Sequence, residues 1–102
     1  MSDPVVIVPE GELDFARASE LRDALSLATP ETQAIVVDLS FVSFIDSTAL
    51  GALVDLHNRL RRDNRRLAVV APAGTAAAVL LNLAGLHTRI PIFPSREVAL
   101  GT

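Results

Sequence analysis

Four short apolar runs constrain this chain more than any other feature. "VVIV" (5–8), "AIVVDL" (34–39), "LAVVA" (67–71) and "IPIF" (90–93) have strand length and strand composition. Each is followed by a stretch with helix signals. Such alternation implies a mostly parallel sheet with right-handed crossovers and helices packed on the sheet faces. The expected fold is therefore α/β, a mostly parallel or mixed sheet of about four to five strands packed with about four helices. Pro91 puts the last run at a sheet edge, because proline cannot donate to a ladder on both sides. In open sheets of this class, ligand sites gather where strands end and helices begin. Here those places are the loops 10–14 and 40–48.

The intervening stretches supply the helices. "GELDFARASELRDALSLA" sets Ala18, Leu21, Leu25 and Ala28 on one helix face, with Asp14 as N-cap and "TPET" (29–32) as the break. Leu50, Leu53, Val54, His57 and Leu60 share the face of a second helix, which ends in the arginine-rich "NRLRRDNRR" (58–66). Pro72 and Gly74 turn the chain, Thr75 caps a third helix, "AAAVLLNLAG", and Gly85 closes it. Ser95 caps a short final helix through Leu100.

Composition narrows the function classes. At 102 residues, half of them apolar, the expectation is a single domain with a core of its own. The absence of cysteine excludes disulfides, zinc–thiolate sites and cysteine nucleophiles. All 9 basic residues are arginine, which removes Schiff-base chemistry and the lysine of a phosphate-binding loop. Two histidines do not make a multi-histidine metal site, so no metal or cofactor is expected. With no Trp or Tyr to stack on bases and a net charge of −3, direct nucleic-acid binding is not expected. No apolar run has the length of a membrane span, and "MSDPVVIVPEGE" lacks the basic start of a secretion signal. The expected setting is cytoplasmic, with no membrane partner.

Within this frame the stretch "SFIDSTALGALVDL" (43–56) stands out. An apolar run stops at Asp46, two hydroxyl residues follow, and apolar helical spacing resumes. Capping alone selects serine before a helix, so Ser47 reads first as an N-cap. The same position suits an anion, since the first helical turn has unpaired N–H groups and a partial positive charge. Asp46, Ser47 and Thr48 occur together where a cap needs only one, and the small Ala49 and Gly51 leave access to the helix start. The preceding Phe41, Val42, Phe44 and Ile45 serve equally as core or as a docking surface. A serine hydrolase would need a base and an oxyanion hole, and the G-x-S-x-G elbow is absent. His57 lies on the apolar helix face, and His87 follows the third helix. Glu12 and Asp14 bracket the first strand–helix turn, and Asp38 sits near a strand end. Solvated loop, cap and hydrogen-bonded strand end are their ordinary roles.

Three segments together resemble a known family. "GELDFARASELRDAL" (11–25), "IVVDLSFVSFIDSTALGALVDLHNRLR" (35–61) and "RLAVVAPAGTAAAVLLNLAGL" (66–86) are similar to successive signatures of a STAS domain of the anti-anti-sigma factor type. The resemblance spans about residues 5 to 100. It implies that Ser47 is a phospho-acceptor, flanked by Asp46 and Thr48, with Glu12, Asp14, Asp38 and Gly51 around the same sheet end. It implies that the unphosphorylated domain binds an anti-sigma factor that is also a serine kinase, so that a sigma factor is freed. Phosphorylation would end that interaction and a PP2C-type phosphatase would restore it. The domain would have no catalysis of its own. Two departures stand out: Ala49 where many members have glycine, and only "MSDP" ahead of a first strand that many members pair with an extra one. An exposed edge on that strand is the expectation. Two other readings remain at this point: a constitutive STAS subunit of a stress-signalling scaffold or lipid-transport complex, and a weak nucleotide-binding domain using the loops at Asp14 and Ser47.

Overall fold

The structure, a computed structural model, describes residues 4–19, 23 and 32–101. Six strands are present among them: β1 (Val5–Ile7), β2 (Glu10–Leu13), β3 (Ala34–Asp38), β4 (Phe41–Ile45), β5 (Arg66–Val70) and β6 (Ile92–Phe93). Three described helices are α1 (Ser47–Arg62), α2 (Ala76–Leu83) and α3 (Arg96–Ala99), with 3-10 turns at Phe15–Arg17 and Leu86–Thr88. Helical backbone also occurs at Ala18, Ser19 and Asp23. Leu21, Leu25 and Ala28, assigned above to the first helix face, lie outside the described residues. Ala18 of that face is fully buried.

The main sheet has the order β1-β3-β5-β6, and every pairing in it is parallel. β6 is an edge strand, as Pro91 required. β1 is the other edge among the described residues. β3 is buried at all five positions. Ile35 and Val37 join the large core with Leu53, Leu56 and Leu60 of α1 and Leu81 of α2, while Val36 turns to the other face. There it meets Ala68, Val70 and Ala99 of α3. Alternation across the pleat sends neighbouring side chains to opposite faces, and helices cover both.

The segments read as loops at 10–14 and 40–48 contain a second sheet. β2 and β4 pair in parallel, Glu10 with Phe41, Gly11 with Val42, Glu12 with Phe44 and Leu13 with Ile45. Ser43 is the extra residue of a bulge, opposite Gly11, whose φ of +74° is open to glycine. "EGEL" carries no β-branched residue, so propensity gave no strand signal. Tertiary contacts make it one. Leu13 is fully buried, and the Arg17 guanidinium donates to the Glu10 and Glu12 carbonyl oxygens. Carbonyls alternate in direction along a strand, and Leu13 points its own toward β4, accepting from the Asp46 N–H. Glu10 and Glu12 therefore face outward, and Arg17 satisfies the open edge of β2.

The caps follow local chemistry. Thr75 accepts from the Ala78 N–H, Ser95 accepts from the Val98 N–H, and Gly85 leaves α2 in the left-handed region. The buried stripe of α1 is Ala49, Ala52, Leu53, Leu56 and Leu60. It is rotated from the expected face, leaving Leu50, Val54 and His57 half-buried at its margin. Ala49 and Ala52 are fully buried at the centre of the stripe, while the larger Leu50 and Val54 pack against its margin.

Candidate functional site

β2 and β4 end side by side, and their last residues deliver Asp14 and Asp46 to one place. Asp46 has extended backbone and caps α1: its Oδ1 accepts from the Ala49 N–H at 2.9 Å, and its carbonyl accepts from the Leu50 N–H at 3.0 Å. Its Oδ2 accepts from the Phe15 N–H at 2.8 Å, and its own N–H donates to the Leu13 carbonyl at 3.2 Å. Every polar group of Asp46 is thus in use. The expectation that Ser47 caps the helix is corrected: Ser47 is the first helical residue, and the aspartate before it does the capping. An aspartate and a serine cap equally well, so sequence alone does not separate the two registers.

The correction changes what Ser47 offers. The residue is exposed, and its hydroxyl has no hydrogen-bond partner among the described residues. Gly51, one turn further on, is exposed on the same face, and a Cβ added there would meet nothing within 4 Å. Asp55 continues that open face. Thr48 is half-buried. The approach to Ser47 is therefore open along the helix, while Thr48 turns partly toward the core.

Asp14 does not cap the turn that follows it, as the sequence had suggested; no side-chain cap bond forms there. The Phe15 N–H, which a cap would leave free, is taken by Asp46 instead. Asp14 Oδ1 is enclosed and lacks a hydrogen-bond partner among the described residues. Glu12 is exposed beside Phe44 on the ribbon. Asp38 does not belong to this cluster. Its hydrogen-bond partners are Ser40 and Arg96, and it shares none with Asp46. Burial disfavours charge on Asp38, but the Ser40 hydroxyl and N–H and the Arg96 guanidinium (Nε to Oδ2, 2.6 Å) outweigh that and hold its carboxyl below the ordinary value. Its work is to tie α3 to the end of β3.

Sequence reading left open whether any aromatic near Ser47 is exposed. Three of the chain's 4 phenylalanines are: Phe15 at 77 %, Phe41 at 62 % and Phe44 at 46 %. Phe41 and Phe44 stand beside Glu10 and Glu12 on the outer face of the ribbon, and Phe15 follows at its end. Val42 and Ile45 from the same segment are core. Phe15 was not foreseen as part of the site. The signal was a large aromatic two residues past Leu13 in a segment whose core face was already supplied.

His57 is half-buried with Nδ1 enclosed and unpartnered among the described residues. Burial, and then the charges of Arg61 and Arg89, lower its proton affinity. It packs at the margin of the core, as its position on the helix face implied. No group of three or more potential metal ligands occurs among the described residues. No described helix is long and apolar enough to cross a membrane.

The strands of this α/β domain pair in parallel, and an exposed serine and exposed aromatics lie where β2 and β4 end and α1 begins. The chain belongs to the STAS domain family, whose model matches residues 2–99. Solved structures agree with the fold. An anti-sigma factor antagonist from Mycobacterium paratuberculosis is 28% identical with a TM-score of 0.78, over 98% of this chain and 85% of that one. The anti-sigma factor antagonist SpoIIAA in its unphosphorylated form is 22% identical with a TM-score of 0.71, over 98% and 89%. A sulfate transporter family protein from Wolinella succinogenes is 18% identical with a TM-score of 0.79, over 95% and 81%. One fold serves signalling and transport proteins alike, so the fold by itself does not choose between them.

Proposed function

We propose that this chain is an anti-sigma factor antagonist, a binding module switched by phosphorylation of Ser47. In this reading the unphosphorylated domain holds a cytoplasmic anti-sigma factor that is also its serine kinase, and a PP2C-type phosphatase resets it. The domain is a substrate and does no chemistry itself. The observation that carries the proposal is the state of Ser47: exposed, at the start of α1, with a hydroxyl left free because Asp46 has taken the cap. A constitutive subunit would need Ser47 only as a cap, and the cap is elsewhere. The exposed Phe15 and Phe44 give a partner apolar surface to bury on the flank of the same site.

The energetics favour a local switch. A phosphate adds about −1.5 to −2 charges at neutral pH. A helix start returns only about 0.3–1 kcal/mol to an anion, and here the Ala49 N–H is already engaged. Repulsion from Asp46 amounts to about 4 kcal/mol per unit charge at ~4 Å and an effective dielectric of ~20. The phosphate is thus poorly compensated within the domain, and an apolar partner surface compensates it no better. A penalty of about 3 kcal/mol on the complex weakens binding more than a hundredfold.

The test is incubation with the purified cognate kinase and ATP, followed by mass spectrometry. One phosphate, on Ser47, is the expected result. Phosphate on Thr48 alone, or none from a kinase shown to bind the domain, defeats the reading. Ser47→Ala keeps partner affinity and Ser47→Glu weakens it; equal affinities defeat the charge mechanism.

A further inference from the structure

Asp46 joins two pieces of the surface that the chain order keeps apart. Its Oδ1 holds the first turn of α1 through Ala49, and its Oδ2 holds the Phe15 N–H, 31 residues away in sequence. Phe15 opens the 3-10 turn Phe15–Arg17 and is the most exposed of the phenylalanines. Asp14 supplies no side-chain cap to that turn. The turn is closed by the Arg17 N–H to the Asp14 carbonyl, and Arg17 is anchored on the Glu10 and Glu12 carbonyls. The Asp46 carboxylate is the group that ties the Phe15 N–H directly to the first turn of α1.

We infer that Asp46 couples the charge state of Ser47 to the Phe15 turn, so that a phosphate on Ser47 loosens the presentation of Phe15. The inference deepens the reading of Ser47 as a phospho-acceptor, and its biological use rests on that reading. The physical reason is competition at one helix start. The Ser47 and Thr48 N–H groups have no acceptor among the described residues, and a phosphate on Ser47 is the nearest anion to take them. The dianion then sits beside the Asp46 carboxylate, and two like charges on adjacent residues repel. Asp46 has two ways to yield. Releasing Ala49 would undo the cap of a 16-residue helix packed into the core, whereas releasing Phe15 frees an exposed turn. The weaker constraint gives way, because exposed backbone N–H groups find water at little cost. Linkage makes the effect reciprocal: a partner that binds Phe15 in its clamped position favours the unmodified serine by the same factor.

Amide hydrogen exchange by NMR on the full chain, with phosphoserine installed at position 47 by semisynthesis so that no kinase is involved, tests this. The Phe15 amide should lose about tenfold in protection relative to the unmodified chain, while Val36 and Val69 in the main sheet keep theirs. Asp46→Asn keeps a capping oxygen for Ala49 but turns its amide end, which cannot accept, toward Phe15. This variant should show the same loss at Phe15 without any phosphate, and phosphoserine should add nothing to it. Unchanged Phe15 protection on phosphorylation overturns the inference, as does a phosphate effect that persists undiminished in Asp46→Asn. If the coupling appears but no kinase modifies Ser47, the proposed function fails and the coupling stands; modification by a kinase without loosening is the converse.

Discussion

Replacing Arg96 by methionine should destabilise the domain through Asp38, and the size of the loss should depend on pH in a definite direction. Asp38 is only 4 % exposed, and its carboxylate has three donors: the Ser40 N–H, the Ser40 hydroxyl and Arg96 Nε. The substitution removes the only cationic partner among the described residues but leaves the Ser40 bonds, so the charge is weakened rather than orphaned. A hydrogen bond to a charged group contributes about 1.5–3 kcal/mol, and the half-exposed Arg96 side chain places the loss toward the lower part of that range. A loss of about 2 kcal/mol lowers Tm by about 10 °C in a domain of this size. In the wild type the folded carboxyl titrates below the ordinary aspartate value, so its stabilisation is present above that value and is lost as pH falls through the lower, folded one. In Arg96→Met the burial penalty faces only the Ser40 bonds, and the folded carboxyl binds its proton more readily. Acidification therefore costs the variant less than the wild type. Urea midpoints at pH 7, 5 and 4 should show the gap between the two narrowing toward acid. A gap that is constant or widens refutes the assignment of Asp38 as a buried, Arg96-compensated carboxylate. Asp38→Asn combined with Arg96→Met should lose less than the sum of the single substitutions, because neither change then leaves an unpaired charge.

The remaining predictions concern α1. Gly51→Ala should raise stability by about 0.5–1 kcal/mol, since the site is an exposed helix interior where the added methyl meets nothing, and it should weaken partner binding if the open face beside Ser47 is the contact surface. Thermal melts and partner titration read the two effects separately, and a loss of stability refutes the open-space argument. The lowered proton affinity of His57 means that the unfolded chain binds a proton more readily than the folded one, so this residue costs stability as pH falls below 6.5. His57→Met should flatten the decline of the urea midpoint between pH 7 and 5.5, and an unchanged slope counts against a half-buried neutral imidazole.

Much of the frame was legible because periodicity and capping are local. The apolar run "AIVV" read as a buried strand, Pro91 marked the edge, and Thr75, Ser95 and Gly85 mark their helix ends as observed. The β2–β4 pair was not legible. "EGEL" is a strand because Leu13 reaches the core and Arg17 closes the outer edge, and neither contact leaves a mark at the level of propensity. The bulge at Ser43 also broke the period-2 pattern that would have flagged β4. The resemblance set Asp38 at the same sheet end as Ser47; in the structure its carboxylate is engaged by Ser40 and Arg96, contacts that no local pattern announces.

The sequence by itself determined that this is a parallel α/β domain and that its chemistry gathers at "IDST", since both follow from spacing along the chain. Only the tertiary structure decided the roles within that motif. Asp46 and Ser47 are equal candidates for a cap, and the choice was made by a third residue. The Phe15 N–H, brought across from the end of β2, bonds the same Asp46 carboxylate that caps α1. A carboxylate has two oxygens to share between two helix starts and a hydroxyl has one, so the aspartate takes both contacts and the serine is left free.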